Sequence, residues 1–298
     1  MGALRPRDTR DPRASGTPVI APARERLRAL RFRATGHTRR PLPRAFWEPL
    51  QGTRALELGG PSTVFSADGL LAVYHLFEEV DGVQFSADTV WHGVMDAGRY
   101  VLPDGTDKGA LRILDAGDLH AIADSSYDAV LSSHVVEHLA NPLRALAEWR
   151  RVVRPGGHLL MVAPHMEGTF DHRRPVTALE HLVEDERQGT GEDDLTHLQE
   201  TLALHDFARD VVEAATQAAW WRDNLTHRAM HHHTFTTPSL LAMLDHAGLQ
   251  LLAAEARWPH DIYVLARFPA AGAMRPDNAR FLGPRAAATP RSPFQSDR

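Results

Sequence analysis

Two apolar runs, residues 128–132 and 158–163, constrain the fold most strongly because a helix pattern lies between them. Neither run alternates apolar with polar residues, which is typical of strands that helices cover on both faces. The helix is predicted over residues 141–153, since Asn141 and the proline after it favour a helix start and a Pro-Gly-Gly sequence follows the last turn. A strand, a helix and a second strand of these lengths form a right-handed parallel unit.

The same alternation continues in both directions along the chain. A further helix is predicted over residues 238–247, and further strands are predicted at residues 54–58, 82–85, 111–114, 249–255 and 262–266. We therefore expect an α/β fold with a Rossmann-like, doubly wound and mostly parallel sheet. Helical patterns after the fifth strand predict a histidine-rich helical insertion there, with segments at residues 176–188, 191–209 and 211–222.

The length of 298 residues allows one main domain with elaborations. We place that domain at residues 46–268, with the substrate-side insertion at residues 165–237. A disordered basic tail is expected at residues 1–20 and a basic helical lead-in at residues 21–45. Residues 269–298 show no pattern and are expected to form a second tail.

Composition and charge exclude several classes of protein. The chain has no cysteine, so it has no disulfide and no thiolate nucleophile, and any metal must be bound by His, Asp or Glu. Residues 1–44 carry a charge of about +9 and the rest about −14, but Phe32 is the one Phe, Tyr or Trp among these arginines, which does not favour nucleic-acid binding. Without an apolar run of about 18 residues or a secretory signal pattern, we expect a cytoplasmic protein with no membrane span.

Four stretches carry a resemblance to a known family. Residues 55–62, ALELGGPS, resemble motif I of the class I S-adenosylmethionine (SAM)-dependent methyltransferases, with Pro61 and Thr63 at its second and third glycine positions. Residues 115–119 and 127–138 resemble the acidic turn on the adenine side and the fourth-strand motif of that family, and residues 151–159 resemble the turn into its fifth strand. The resemblance implies SAM as the cofactor.

The resemblance also implies roles for individual residues. Glu57 would fix the first turn or bind the methionine ammonium group, and the methionine moiety would lie against Gly59, Gly60, Pro61 and Ser62. Asp118 and Leu119 would contact the adenine edge. The remaining cofactor candidates are Asp88, which follows the second strand late, and Ser133 and His134 after the fourth strand. A sulfonium cofactor is positively charged, so carboxylates at strand ends suit it better than the anion site of a helix N-terminus.

Residues 165–260 hold eleven of the eighteen histidines, together with many carboxylates. One hypothesis gives His134, His165 or His172 the role of a general base. Another is a divalent-metal site, for which the candidate ligands are Asp194, His197, His231 and His233. Asp194 and His197 would share one face of a helix over residues 191–209, and extended backbone would send His231 and His233 in the same direction. The third alternative is that these histidines only satisfy carboxylates in a packed interface.

The resulting hypothesis is a SAM-dependent methyltransferase that acts on an oxygen or nitrogen of a polar small molecule, such as a sugar, a glycan intermediate or a hydroxylated natural product. One alternative is a metal-assisted SAM enzyme that closes a ring and releases methylthioadenosine. Others are a non-catalytic protein that binds SAM or nucleic acid, and a metal-dependent hydrolase. The oligomeric state stays open, with a homodimer as one candidate.

Overall fold

A seven-stranded sheet forms the centre of the computed structural model, which describes residues 41–270, 272–283 and 292–298. The strands of these residues are β1 (Arg54–Leu58), β2 (Glu79–Gln84), β3 (Asp88–Thr89), β4 (Gly93–Val94), β5 (Tyr100–Val101), β6 (Asp107–Gly109), β7 (Leu111–Ile113), β8 (Tyr127–Ser133), β9 (Val153–Pro164), β10 (Gln250–Arg257) and β11 (Asp261–Arg267). The predicted N-terminal tail and nearly all of the predicted lead-in helix lie outside the described residues.

The strand order of the sheet is β10-β11-β9-β8-β1-β2-β7. The five strands from β9 to β7 are parallel, whereas β11 runs antiparallel to β9 and β10 runs antiparallel to β11. This arrangement confirms the predicted mostly parallel sheet. The direction of winding reverses between β1 and β8, and a doubly wound sheet binds ligands at the carboxyl ends of its strands beside such a point.

The helices of the described residues are α1 (Pro142–Val152), α2 (Leu179–Gln188), α3 (Leu198–Leu204), α4 (Ala214–Arg222), α5 (Asn224–His227) and α6 (Thr237–His246). Short 3₁₀ turns lie at Arg44–Phe46, Glu48–Leu50, Thr63–Phe65, Tyr74–Leu76, Val136–His138, Met166–Gly168 and Phe207–Arg209. The start of α1 is as predicted, because Asn141 accepts a hydrogen bond from the Arg144 N–H at 3.0 Å. Trp149 of α1 and Leu244 of α6 lie fully buried in the same core cluster. Among the residues that the structure describes, no helix is long and apolar enough to cross a membrane.

The prediction of one helix over residues 191–209 is wrong. Within that range only α3 is α-helical, and His197 is the residue before its first turn. Asp194 accepts hydrogen bonds from the N–H and the hydroxyl of Thr196, the latter at 2.7 Å. Such a local side-chain bond competes with helical pairing, so Asp194 and His197 do not share a helix face.

The C-terminal residues that the structure describes pack against the domain, although the sequence predicts a tail. They form neither helix nor strand, yet Phe281 and Phe294 are buried. Asp297 is also buried and accepts hydrogen bonds from the N–H and hydroxyl of Thr237 at 3.0 and 2.6 Å. It contacts the His165 ring at 2.9 Å. The C-terminus is therefore joined to the start of α6 and to the end of β9.

Replacing Asp297 with Ala should lower the free energy of unfolding by about 2–4 kcal/mol, because it leaves buried donors of Thr237 and His165 without an acceptor. Urea unfolding followed by circular dichroism measures this change. Asp277→Ala is the matched control, since Asp277 is exposed and such substitutions usually change stability by less than about 0.5 kcal/mol. Equal effects of the two substitutions would show that the C-terminus does not pack as described.

Candidate cofactor and acceptor site

A cavity of about 1040 Å³ opens at the carboxyl edge of the sheet, beside the point where the winding reverses. Residues at the ends of five parallel strands line it, namely Gly59, Gln84, Leu114, Ser133 and Pro164. The volume is at the upper end of the range of about 300–1000 Å³ that is usual for small-molecule sites. It therefore has room for a nucleoside-sized cofactor and a second small molecule.

Glu57 lies beneath the turn that follows β1 and is fully buried. One of its oxygens accepts hydrogen bonds from the hydroxyls of Tyr74 and Tyr100 at 2.7 and 2.6 Å. The other accepts from the Ser62 N–H at 3.1 Å. Burial raises the pKa of Glu57, and these hydrogen bonds partly offset that rise. Glu57 thus holds the turn in place and does not line the cavity.

The turn itself depends on two glycines. Gly59 has a positive φ of 72°, which glycine adopts without strain. A Cβ atom on Gly60 would lie 2.2 Å from both the Glu57 carboxyl carbon and the Tyr100 hydroxyl, so no larger residue fits above this carboxylate. Gln84 donates a hydrogen bond to the Gly60 carbonyl at 2.6 Å. Gly59, Pro61 and Ser62 line the cavity, whereas Gly60, the fourth residue of this turn that was predicted to contact the cofactor, does not.

The acidic turn after β7 presents a different carboxylate from the one predicted. Asp115 lines the cavity together with Ala116, and Asp118 does not. The Asp118 side chain is 50% exposed and contacts His120 at 3.1 Å, while Leu119 is buried in the core. Burial determines this outcome, because the apolar Leu119 turns inward and leaves Asp118 on the outer side.

A salt-bridge network that the sequence analysis did not predict borders Asp115. Arg228 pairs with Asp115 at 2.9 Å and with Glu192 at 2.7 Å, and its guanidinium lies 5.6 Å from the centre of the Phe85 ring. Burial is the largest influence on Glu192 and raises its pKa to about 7, although Arg228 acts in the opposite direction. All four residues line the cavity.

The end of β2 supplies no carboxylate to the cavity. Asp88 is exposed in the β3–β4 hairpin and does not line it. Gln84 and Phe85 occupy the corresponding part of the wall. Asp88 therefore does not lie where it could contact a cofactor in this cavity, contrary to the prediction.

A further part of the cavity wall is lined by ionisable side chains. Ser133 and His134 follow β8 there, and the His134 ring contacts Asp261 at 3.1 Å and Glu137 at 3.6 Å through its two nitrogens. Asp261 also accepts a hydrogen bond from the Tyr263 hydroxyl at 2.9 Å. Burial would lower the pKa of His134, but the hydrogen bond with Asp261 and the charges of Asp261 and Glu137 outweigh burial and raise it.

Glu137 is a buried carboxylate that faces this cavity, with 1% of its surface exposed. Neither of its oxygens has a hydrogen-bond partner among the residues that the structure describes. Burial is the main reason that its pKa is raised. The neighbouring His138 is kept neutral, because burial and then the charge of His231 lower its pKa well below the usual value. Two partners of His134, Glu137 and Asp261, were not predicted as site residues. Asp261 is 127 positions away along the chain, whereas Glu137 is only three positions away, within the fourth-strand motif.

The other two predicted bases lie away from the cavity. His165 is fully buried, contacts Asp297 and stacks on Phe294 with ring centres 3.8 Å apart. His172 pairs with Asp206 at 2.9 Å and does not line the cavity. Both correspond to the alternative in which a histidine satisfies a carboxylate in a packed interface.

The four predicted metal ligands do not form one site in the structure. His231 contacts Asp171 and lines the cavity, whereas His233 lies beside His197 in a different cluster. The rings of His231 and His233 thus do not lie together as predicted. Asp194 lies 3.8 Å from His232 and belongs to neither cluster.

Comparison with known proteins finds a region of the chain that is similar to a methyltransferase domain. The family model described as a methyltransferase domain matches residues 70–161, which run from after the glycine turn into β9. Residues 70–161 are therefore similar to a methyltransferase domain, and they hold the strands β2, β7 and β8 and the helix α1. A curated relative, an uncharacterized 37.1 kDa protein in transposon Tn4556 of Streptomyces fradiae, is 42% identical over 62 residues. That match covers 20% of this chain and 18% of the relative.

Solved structures show similarity over much of the chain at low identity. A SAM-dependent methyltransferase from Mesorhizobium loti is 16% identical with a TM-score of 0.44, and the alignment covers 75% of this chain and 94% of that one. A SAM-dependent methyltransferase from Methanosarcina mazei is 14% identical with a TM-score of 0.42, covering 78% and 100%. An N-methyltransferase of 1,6-didemethyltoxoflavin from Burkholderia thailandensis is 11% identical with a TM-score of 0.41, covering 86% and 93%.

A double-mutant cycle tests the support of the turn. Tyr100→Phe removes one donor from the buried Glu57 carboxylate and should lower the free energy of unfolding by about 1–3 kcal/mol. In the Glu57→Gln background, Tyr100→Phe should lower the free energy of unfolding by about 1 kcal/mol less than it does in the unsubstituted protein, because the charged acceptor is already gone. Urea unfolding of the four proteins measures the cycle. If the two effects add within about 0.5 kcal/mol, the two side chains are not coupled.

Proposed function

We propose that the protein transfers the methyl group of SAM to an oxygen or nitrogen of a polar small molecule, with His134 as the general base. The observation that carries the proposal is that His134, held by Asp261, faces the same cavity as the glycine turn and Asp115. The two halves of such a reaction, cofactor binding and proton removal, are thus assigned to two groups of residues that line one cavity.

The residues of the cofactor end fit SAM by their chemistry. The backbone of residues 59–62 would lie against the methionine moiety, and the Asp115 carboxylate would accept a hydrogen bond from the adenine amino group. Leu114, Phe85 and Val135 supply apolar surface for a purine. When bound, SAM supplies a methyl group on a positively charged sulfur, and the buried Glu137 carboxylate offers a countercharge.

His134 has the surroundings that a general base needs. Asp261 fixes one ring nitrogen at 3.1 Å, which leaves the other nitrogen to accept the acceptor's proton. The imidazolium that forms would lie between two carboxylates, since Glu137 is 3.6 Å away. Holding donor and acceptor in one cavity supplies the alignment that a displacement reaction requires.

The polarity of the acceptor end supports a polar substrate. His231, His260 and Asp261 line it, and these groups would pair with hydroxyl or amino groups of a sugar, a glycan intermediate or a hydroxylated natural product. An apolar acceptor would remove these polar groups from water without offering them a hydrogen bond, which is costly in a buried site. A cytoplasmic location, a homodimer and the absence of nucleic-acid binding stay predictions from the sequence.

Calorimetry with S-adenosylhomocysteine tests the cofactor end. Asp115→Asn should weaken binding about tenfold or more, because a hydrogen bond to a charged group contributes about 1.5–3 kcal/mol. Asp118→Asn is the matched control, and it should bind like the unsubstituted protein since Asp118 lies outside the cavity. The assignment fails if Asp118→Asn weakens binding as much as Asp115→Asn.

Methyl incorporation from labelled SAM into small molecules of an extract of the source organism tests the reaction. His134→Gln should lower the rate by about 100-fold or more, whereas His172→Gln, outside the cavity, should leave it nearly unchanged. Only neutral His134 accepts a proton and its pKa is raised, so the rate should rise with pH through a midpoint above about 6.5. The pH step should be absent in His134→Gln. Persistence of the step in that variant, or methylthioadenosine as the product, would contradict the proposal.

A further inference from the structure

Four ligand-type side chains meet within residues 165–237, outside the cavity described above. They are His181, Asp185, His197 and His233, and they do not line the cavity. We refer to them as the His181 cluster. Sequence analysis named two of them, His197 and His233, as metal ligands but did not connect them with the other two.

Three separate parts of the chain supply the His181 cluster. His181 and Asp185 are one turn apart on α2, and residues at this spacing share a helix face. His197 directly precedes α3, and His233 lies in the irregular segment that leads to α6. The cluster therefore joins three segments that are separate along the chain.

The possible ligand atoms of the cluster lie close enough together to contact a single ion. One ring nitrogen from each of His181, His197 and His233 lies within 4.8 Å of the others. The His181 and His197 Nε2 atoms are only 2.9 Å apart. An Asp185 oxygen lies 3.2 Å from His181 and 3.9 Å from His233.

Hydrogen bonding within the described residues leaves this cluster incompletely satisfied. His233 is 1% exposed, and its Nδ1 atom has no hydrogen-bond partner there. The same holds for the Oδ2 atom of Asp185. Two neutral imidazoles can share only one proton between facing nitrogens, so His181 and His197 do not supply the missing donors. Unpaired buried polar atoms are costly and rare.

We propose that His181, Asp185, His197 and His233 bind a zinc ion. Three imidazoles and one carboxylate form a four-ligand set of the kind that suits tetrahedral zinc, and the chain has no cysteine to compete for the metal. The Thr190 hydroxyl donates a hydrogen bond to the other Asp185 oxygen at 3.1 Å, which would orient the carboxylate toward the ion. Binding of both Nε2 atoms would move the proton between His181 and His197 to the Nδ1 atom of its own ring, since each ligating nitrogen needs a free lone pair.

The ion would fix the segment that carries His231 into the cavity. His233 is two residues from His231, and Arg174 donates hydrogen bonds to the carbonyls of His231 and His232 at 2.9 and 3.3 Å. Because the protein would supply all four ligands, no coordination position would be left for a substrate, which is typical of a structural zinc site. Zinc binding does not require the proposed methyl transfer, so the two proposals can fail separately.

Metal analysis of the full chain tests this proposal. Protein treated with a chelator, incubated with zinc chloride and passed over a desalting column should retain about one zinc per chain. Zinc should raise the melting temperature of the chelator-treated protein by roughly 5 °C, because the ion binds the folded chain. Cobalt in place of zinc should give the visible absorption of a tetrahedral site.

Substitutions locate the ion. His197→Gln and the double variant His181→Gln with His197→Gln should lose most of the zinc and the thermal shift, and both rings are only partly buried, so these variants are expected to fold. Far-UV circular dichroism verifies folding. His75→Gln is the matched control because His75 is exposed on a turn between β1 and β2. The proposal is overturned if the unsubstituted chain retains no zinc, or if the folded double variant retains as much as His75→Gln.

Discussion

The buried carboxylate of Glu57 is the contact on which the candidate site depends. A charge at this depth is stable only when donors surround it, and Glu57 obtains them from Tyr74, Tyr100 and the Ser62 backbone. These donors come from the segment between β1 and β2, from β5 and from the turn itself. The carboxylate therefore fixes the floor of the cavity by joining three parts of the chain, and the lack of side chains at Gly59 and Gly60 allows the turn to close over it.

Much of the fold could be predicted from the sequence because buried parallel strands have a local signature. The runs at residues 128–132 and 158–163 are apolar without alternation, and both are central strands. Features decided by distant contacts could not be predicted. Asp115 and Asp118 are equivalent by sequence pattern, and only the burial of Leu119 determines which carboxylate faces the cavity. Phe294 looks like part of a patternless tail until its stacking on His165 is seen.

The roles of the histidines also could not be predicted from the sequence, because this residue type occurs in three different surroundings. His165 satisfies a buried carboxylate, His134 faces the cavity between two carboxylates, and His197 belongs to a cluster whose hydrogen bonds are incomplete. The residues next to a histidine in the sequence do not show which of these three surroundings it has. His231 and His233 illustrate this, since two positions separate them and they belong to different clusters.

The claim that one cavity holds both the cofactor and the base is tested most directly by a crystal structure of the full chain with S-adenosylhomocysteine. We expect the adenine beside Asp115, the amino-acid end of the ligand against the turn at Gly59, and its sulfur facing the end of the cavity that holds His134. A ligand bound elsewhere, or one whose sulfur faces away from His134, would contradict the assignment of the site.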